Sequence, residues 1–206
     1  MLIPNVKGNP QDQGNIAYVG WENEEESLYG IREGYKNAAD DLVQLALDKC
    51  NVNDIKILDT YIYPICFLYR HSIEVSLKLI YWRCYHKLPK LPKNGHSLSA
   101  LYHRIEEYVL KLYEKTSFID QVKSYKKNFI KYDISSINLK ELKHSIDIID
   151  KDDPQSDRYR YLLNKGGKLY SKKSDFIDYN KLSAFYSDIY EKLDFIYFVT
   201  DQYLSG

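Results

Sequence analysis

The residues best able to do chemistry in this 206-residue chain lie on one short run, Arg70-His71-Ser72-Ile73-Glu74, with Lys78 four positions further on. An imidazole moves protons near neutral pH, a guanidinium forks onto a phosphate, and a carboxylate orients either one. Arg70, Glu74 and Lys78 are spaced i, i+4, i+8, so on a helix Glu74 reaches both cations. A further histidine, His96, stands in Gly95-His96-Ser97-Leu98 at the entrance to a helix that Ser97 can cap. From there its ring could point into the same cleft; the plainer role is that of a loop or capping histidine. Arg70, His71, Glu74 and His96 are therefore the candidate catalytic residues. A second segment reads Ser156-Asp157-Arg158-Tyr159-Arg160-Tyr161, followed by Lys165, Gly166, Gly167 and Lys168. Arginine forks bind phosphate and tyrosine faces stack on bases, so Lys78, Arg158, Tyr159, Arg160 and Tyr161 are the candidate nucleic-acid contacts. The alternative is a loop that packs its tyrosines back onto the fold.

These side chains need a scaffold, and the periodicity supplies helices. The first run lies in a helical region from about Asp54 to His86, where Pro64 predicts a kink or a fresh start. Beyond Pro64, Cys66, Ile73, Leu77, Ile80 and Cys84 form one apolar stripe. Leu68, Val75, Leu79 and Trp82 form another. The charged wedge lies between them. A helix apolar on both sides of such a wedge is packed on both sides, and charges buried there unpaired would cost several kcal/mol. Two readings stay open: a salt-bridge ladder on an exposed face, or a polar cleft.

Elsewhere, Leu28, Ile31, Tyr35, Ala38, Leu42 and Leu45 recur at three and four and predict the apolar face of a first helix ending near Cys50. Leu98, Leu101, Tyr102, Ile105, Val109 and Leu112 predict a third helix, Phe118 to Ile130 a short fourth, and Leu139, Leu142, Ile146 and Ile149 a fifth. The last spans about Asp175 to Tyr203. Residues 153–174 read as an irregular or hairpin insertion, and 1–20 as an extended arm. The expectation is an all-α antiparallel bundle of about five to six helices, with 21–206 as one domain.

The 29 basic and 29 acidic residues cancel, so no global field draws the chain to nucleic acid or to an anionic membrane. Binding would need a local patch, which Lys123, Lys126, Lys127 and Lys131 could extend. Cys50, Cys66 and Cys84 are odd in number and lack a Cys-x-x-Cys spacing, which argues against a disulfide framework or a cysteine-rich zinc site and for buried thiols in a reducing cytoplasm. Asp150, Asp152 and Asp153 read as a solvated helix end rather than a cation site. No metal or cofactor is expected, and no membrane span or signal core is seen.

The run Phe67-Leu68-Tyr69-Arg70-His71 with Glu74 and Lys78, then Gly95-His96-Ser97-Leu98, then Arg158-Tyr159-Arg160-Tyr161, resembles the HEPN superfamily, in particular its small bacterial members. The resemblance covers roughly residues 55–165. It implies a helical bundle, often a homodimer, with roles in RNA metabolism, toxin–antitoxin systems and antiviral defence. It also implies metal-independent ribonuclease activity from an arginine followed four to six residues later by a histidine. No such pair occurs here: Arg70 and His71 are adjacent, and two residues separate Arg83 from His86. Arg70 and His71, with His96, are expected to take its place. The competing expectation is a non-catalytic module that dimerises or binds a protein partner.

Overall fold

The polar wedge lies on the longest helix, and every other long helix but one packs against it. The computed structural model describes residues 17, 23–52, 54–90, 95–114, 137–170 and 176–205. Among them are five helices: α1 (Glu24–Cys50), α2 (Lys56–Tyr85), α3 (Leu98–Glu114), α4 (Leu139–Asp152) and α5 (Tyr179–Ser205). They form the expected all-α antiparallel bundle. α2 runs through its middle against α1, α3 and α5, while α4 packs chiefly on α3. The core gathers Ala39, Ala46, Ile65, Tyr69, Ile73, Leu77, Ile80, Leu101, Ile105, Ile146, Ile189 and Leu193, each fully or almost fully buried. Among the described residues no helix is long and apolar enough to cross a membrane.

Local chemistry sets the helix starts. Asn23 accepts from the Glu26 amide at 2.9 Å, and Glu24, Glu25 and Glu26 sit at the positive end of the α1 dipole. Asn138 accepts from the Lys140 and Glu141 amides to begin α4. Ser97 caps α3 through the Ala100 amide at 3.2 Å. The fresh start expected at Pro64 does not occur, because α2 continues across it. Pro64 and Thr60 are both exposed, so water can serve the Thr60 carbonyl that loses its usual donor.

α1 corrects a second expectation. Its buried residues are Arg32, Lys36, Ala39, Val43 and Ala46. The predicted apolar stripe is turned to the flank, with Ile31 43% and Leu45 40% exposed. Two cations go inside because partners await them: Arg32 pairs with Asp194 of α5 and Lys36 with Asp40. The Arg32 guanidinium also lies over the Tyr29, Tyr190 and Tyr197 rings at 4.4, 5.3 and 5.4 Å. Beside them the Tyr69 hydroxyl donates to Asp40 at 2.6 Å.

The chain after α4 is irregular, as expected, with one antiparallel bridge between Leu163 and Leu169. Asn164 closes that turn by accepting from the Gly166 and Lys168 amides, and Gly167 takes the φ of +73° that a side chain would resist. Cys66 is buried, while Cys50 and Cys84 are half-buried. The expected arm over 1–20, apart from Ala17, the expected helix Phe118–Ile130 and the lysines 123, 126, 127 and 131 lie outside the described residues.

Candidate functional site

Arg70 and Glu74 leave α2 one turn apart, and both side chains are fully buried. Every nitrogen of the Arg70 fork has an acceptor. Nη1 donates to Glu74 Oε2 at 3.2 Å, Nη2 to the His96 backbone carbonyl at 2.7 Å, and Nε to the Asp153 carbonyl at 3.0 Å. The carboxylates of Asp150 and Asp153 stand 3.9 and 3.7 Å away. One guanidinium thus ties α2 to the entrance of α3 and the end of α4. It is saturated and enclosed, so it cannot reach a bound phosphate.

Glu74 turns this node outward. Its Oε1 accepts from Lys78 Nζ at 2.6 Å and lies 3.0 Å from His96 Nδ1. Burial pushes its carboxyl up, but the Lys78 ammonium and His96 outweigh burial and hold it below its ordinary range. Glu74 is therefore a buried carboxylate that fixes one nitrogen of a half-exposed imidazole. His96 Nε2 has no hydrogen-bond partner among the described residues. The expected i, i+4, i+8 ladder exists, but Arg70 and Glu74 are buried in it, Lys78 is partly exposed, and it meets a histidine at the entrance of α3.

His71 sits on the neighbouring face of α2. Its ring meets Tyr35 edge-on at 4.5 Å and stacks on Phe67 at 5.6 Å. Neither ring nitrogen has a hydrogen-bond partner among the described residues, and the residue is half-buried. Burial lowers its pKa below the ordinary 6.5; Glu74 opposes this, while Lys78, Arg70 and His96 reinforce it. The site therefore holds one histidine kept neutral and one oriented by a carboxylate.

These shifts carry a pH signature. The unfolded chain protonates His71 near pH 6.5 and the folded chain only lower, so His71's contribution to stability is present above 6.5 and lost as the pH falls towards the folded value. Glu74's contribution is present above its ordinary 4.5 and lost as the pH falls through the folded value beneath it. The melting temperature should fall in two stages on acidification. His71→Phe, which preserves the ring contacts, should remove the first stage; an unchanged profile between pH 7 and 5 would contradict this.

The arginine–tyrosine segment lies beside the site with its charges answered locally. Arg158 pairs with Asp152, and Tyr159 donates to the same carboxylate at 2.7 Å. Arg160 donates to Asp157 at 3.0 Å and to the Ser156 carbonyl at 2.6 Å. Only Tyr161 is turned well out, at 57% exposure. Four of the five candidate nucleic-acid residues thus form a braced loop, and Lys78 stands apart at the node. Arg160 still reaches the site, its guanidinium lying 5.3 Å from the Phe67 ring.

The acidic trio is not a solvated helix end. Asp150 accepts from Ser97 Oγ at 2.8 Å and the Leu98 amide at 2.7 Å, fastening the start of α3. Asp153 is 2% exposed and accepts from the Asp157 and Arg158 amides. Among the described residues no three His, Cys, Asp or Glu side chains are grouped to hold a metal ion. Spacing missed Asp150 and Asp153, whose partners are far away in sequence, and Tyr35, read as core. Compared with known proteins, the chain matches no family model, no curated protein and no solved structure.

Proposed function

We propose that the chain is a HEPN-like protein of bacterial defence or toxin–antitoxin type that binds and cleaves RNA at the His71–His96 cleft. The observation that carries the reading is the buried Arg70–Glu74 node, which holds Nδ1 of the half-exposed His96 ring while His71 follows Arg70 on the same helix. One imidazole whose pKa burial lowers and a second one oriented by a carboxylate suit transesterification at a phosphodiester. His71 takes the proton from a ribose 2′-hydroxyl as that oxygen attacks phosphorus. His96, held by Glu74 at Nδ1, gives a proton from Nε2 to the departing 5′ oxygen. Lys78, partly exposed at the rim, places positive charge near the crowded phosphate. Arg70 is a positioning residue that fixes Glu74 and the His96 backbone. The products are a 2′,3′-cyclic phosphate and a 5′-hydroxyl. Incubation of the protein with single-stranded RNA in EDTA tests this: cyclic-phosphate ends should accumulate, and intact RNA would refute cleavage.

A homodimer belongs to the same reading, and α1 favours it. A helix that buries Arg32 and Lys36 while leaving Ile31 and Leu45 at its flank has apolar surface to cover. Leu28, Ile31, Tyr35, Ala38, Leu42 and Leu45 keep the 3-4 spacing of a helix-pairing seam. A second copy on this stripe would bring two sites together through Tyr35, which touches His71. Ile31→Glu with Leu45→Lys should halve the solution mass measured by light scattering. A wild-type monomer at tens of micromolar would overturn the dimer. A dimer without RNA cleavage would favour the non-catalytic interaction module.

A further inference from the structure

The site's histidine begins a row of flat groups that the chemistry above leaves unused. Phe67 stacks on His71 with an interplanar angle of 17°, Arg160 covers Phe67 at 5.3 Å, and the exposed Tyr161 ring lies 5.3 Å beyond that guanidinium. Tyr35 stands edge-on to both His71 and Phe67, at 4.5 and 6.3 Å. His71, Phe67 and Tyr35 are each half-buried, and Arg160 is exposed. The Arg160 contact is loose, and its tethers to Asp157 and Ser156 belong to its own loop. A guanidinium resting on an aromatic face occupies the position that a nucleobase takes on such a face, and it is itself a phosphate ligand.

We propose that Phe67 is a stacking platform for the base next to the reacting phosphate, uncovered when Arg160 swings from the ring onto the RNA backbone, which makes the substrate single-stranded. This rests on the RNA-cleavage reading and adds a subsite to it. In a duplex the bases are stacked on one another and paired, and none can lie flat on Phe67 beside His71 without being extruded. The platform selects strand state rather than sequence, because every base has a π face.

The test uses the full chain and RNA oligonucleotides carrying 2-aminopurine, whose fluorescence falls on stacking against an aromatic ring. Wild type should bind the single strand with quenching and bind the matching duplex weakly. Phe67→Leu, which keeps apolar bulk without a π face, should lose on the order of tenfold in single-strand affinity together with the quenching. Arg160→Gln should keep the quenching and reduce the salt slope of binding by about 0.7 for one lost phosphate contact. Melting temperatures of both variants separate this from misfolding. Wild-type quenching and affinity in folded Phe67→Leu, with RNA cleavage intact in the wild type, would overturn the platform and leave the nuclease standing. No RNA binding by the wild type would overturn both.

Discussion

Arg70→Ala should cost about 3–5 kcal/mol of stability, because it removes one of the cations paired with a fully buried carboxylate and empties an enclosed site. The substitution does more than delete a charge. It leaves the His96 and Asp153 carbonyls without the donors that reach them at 2.7 and 3.0 Å. It also leaves Glu74 held only by Lys78 and His96. For a chain of this length each kcal/mol moves the melting temperature by about 2–4 °C, so the drop should be roughly 6–20 °C. Arg70→Lys should recover little, since an ammonium cannot send three donors along one planar fork. Arg70→Ala and Glu74→Gln should be strongly non-additive, as they share one network. The measurement is thermal or chemical unfolding of the three variants. A melting temperature within 2 °C of wild type for Arg70→Ala would show that the node carries no structural load.

His96→Ala should do the reverse, lowering RNA cleavage by about 10²–10⁴-fold with little change in stability. The geometry separates the two effects. Arg70 binds the backbone carbonyl of His96, not its ring, so truncation leaves that bond in place. The ring is 49% exposed, so little packing is lost. What disappears is the imidazole that Glu74 aims at solvent. Glu74→Gln should weaken cleavage as well, because a neutral amide replaces the carboxylate that orients Nδ1 of His96. Single-turnover cleavage across pH 5–9 for wild type, His96→Ala and Glu74→Gln is the test. Full activity in a folded His96→Ala would remove the histidine from the chemistry and the reading with it.

The parts of this protein legible in the sequence are those whose partners lie within a turn or two. The Arg70–Glu74–Lys78 ladder was visible because a helix brings i and i+4 together whatever surrounds it. Ser97 was visible as a cap for the same reason. The node's other half was not, because Asp153 lies 83 positions from Arg70 and nothing local says that the two will meet. The first helix was misread through the same blindness. Apolar spacing chose Leu28, Ile31, Tyr35, Ala38, Leu42 and Leu45 as the inward face; burial followed Arg32 and Lys36, whose inclusion depends on Asp194, 162 residues from Arg32, and on a cluster of tyrosines. Periodicity assumes that cations stay outside, and it fails where tertiary partners neutralise them. For Arg158 to Tyr161 two readings stay open in the sequence, nucleic-acid contacts or a loop packed back on the fold, and the pairs with Asp152 and Asp157 favour the packed loop.

The Arg70 pin joins three stretches of chain that are distant in sequence, and this bears on how the molecule breathes. The amides of Asp157 and Arg158 hang on Asp153, whose backbone the pin itself grips. Exposing them loosens the pin, which at its other end holds the His96 carbonyl at the entrance of α3. In hydrogen–deuterium exchange these two loop amides should therefore behave like core helix positions, trading protons only through large-scale opening. Slow exchange there would mark a loop backbone whose order does not wait for a ligand, whatever its side chains do.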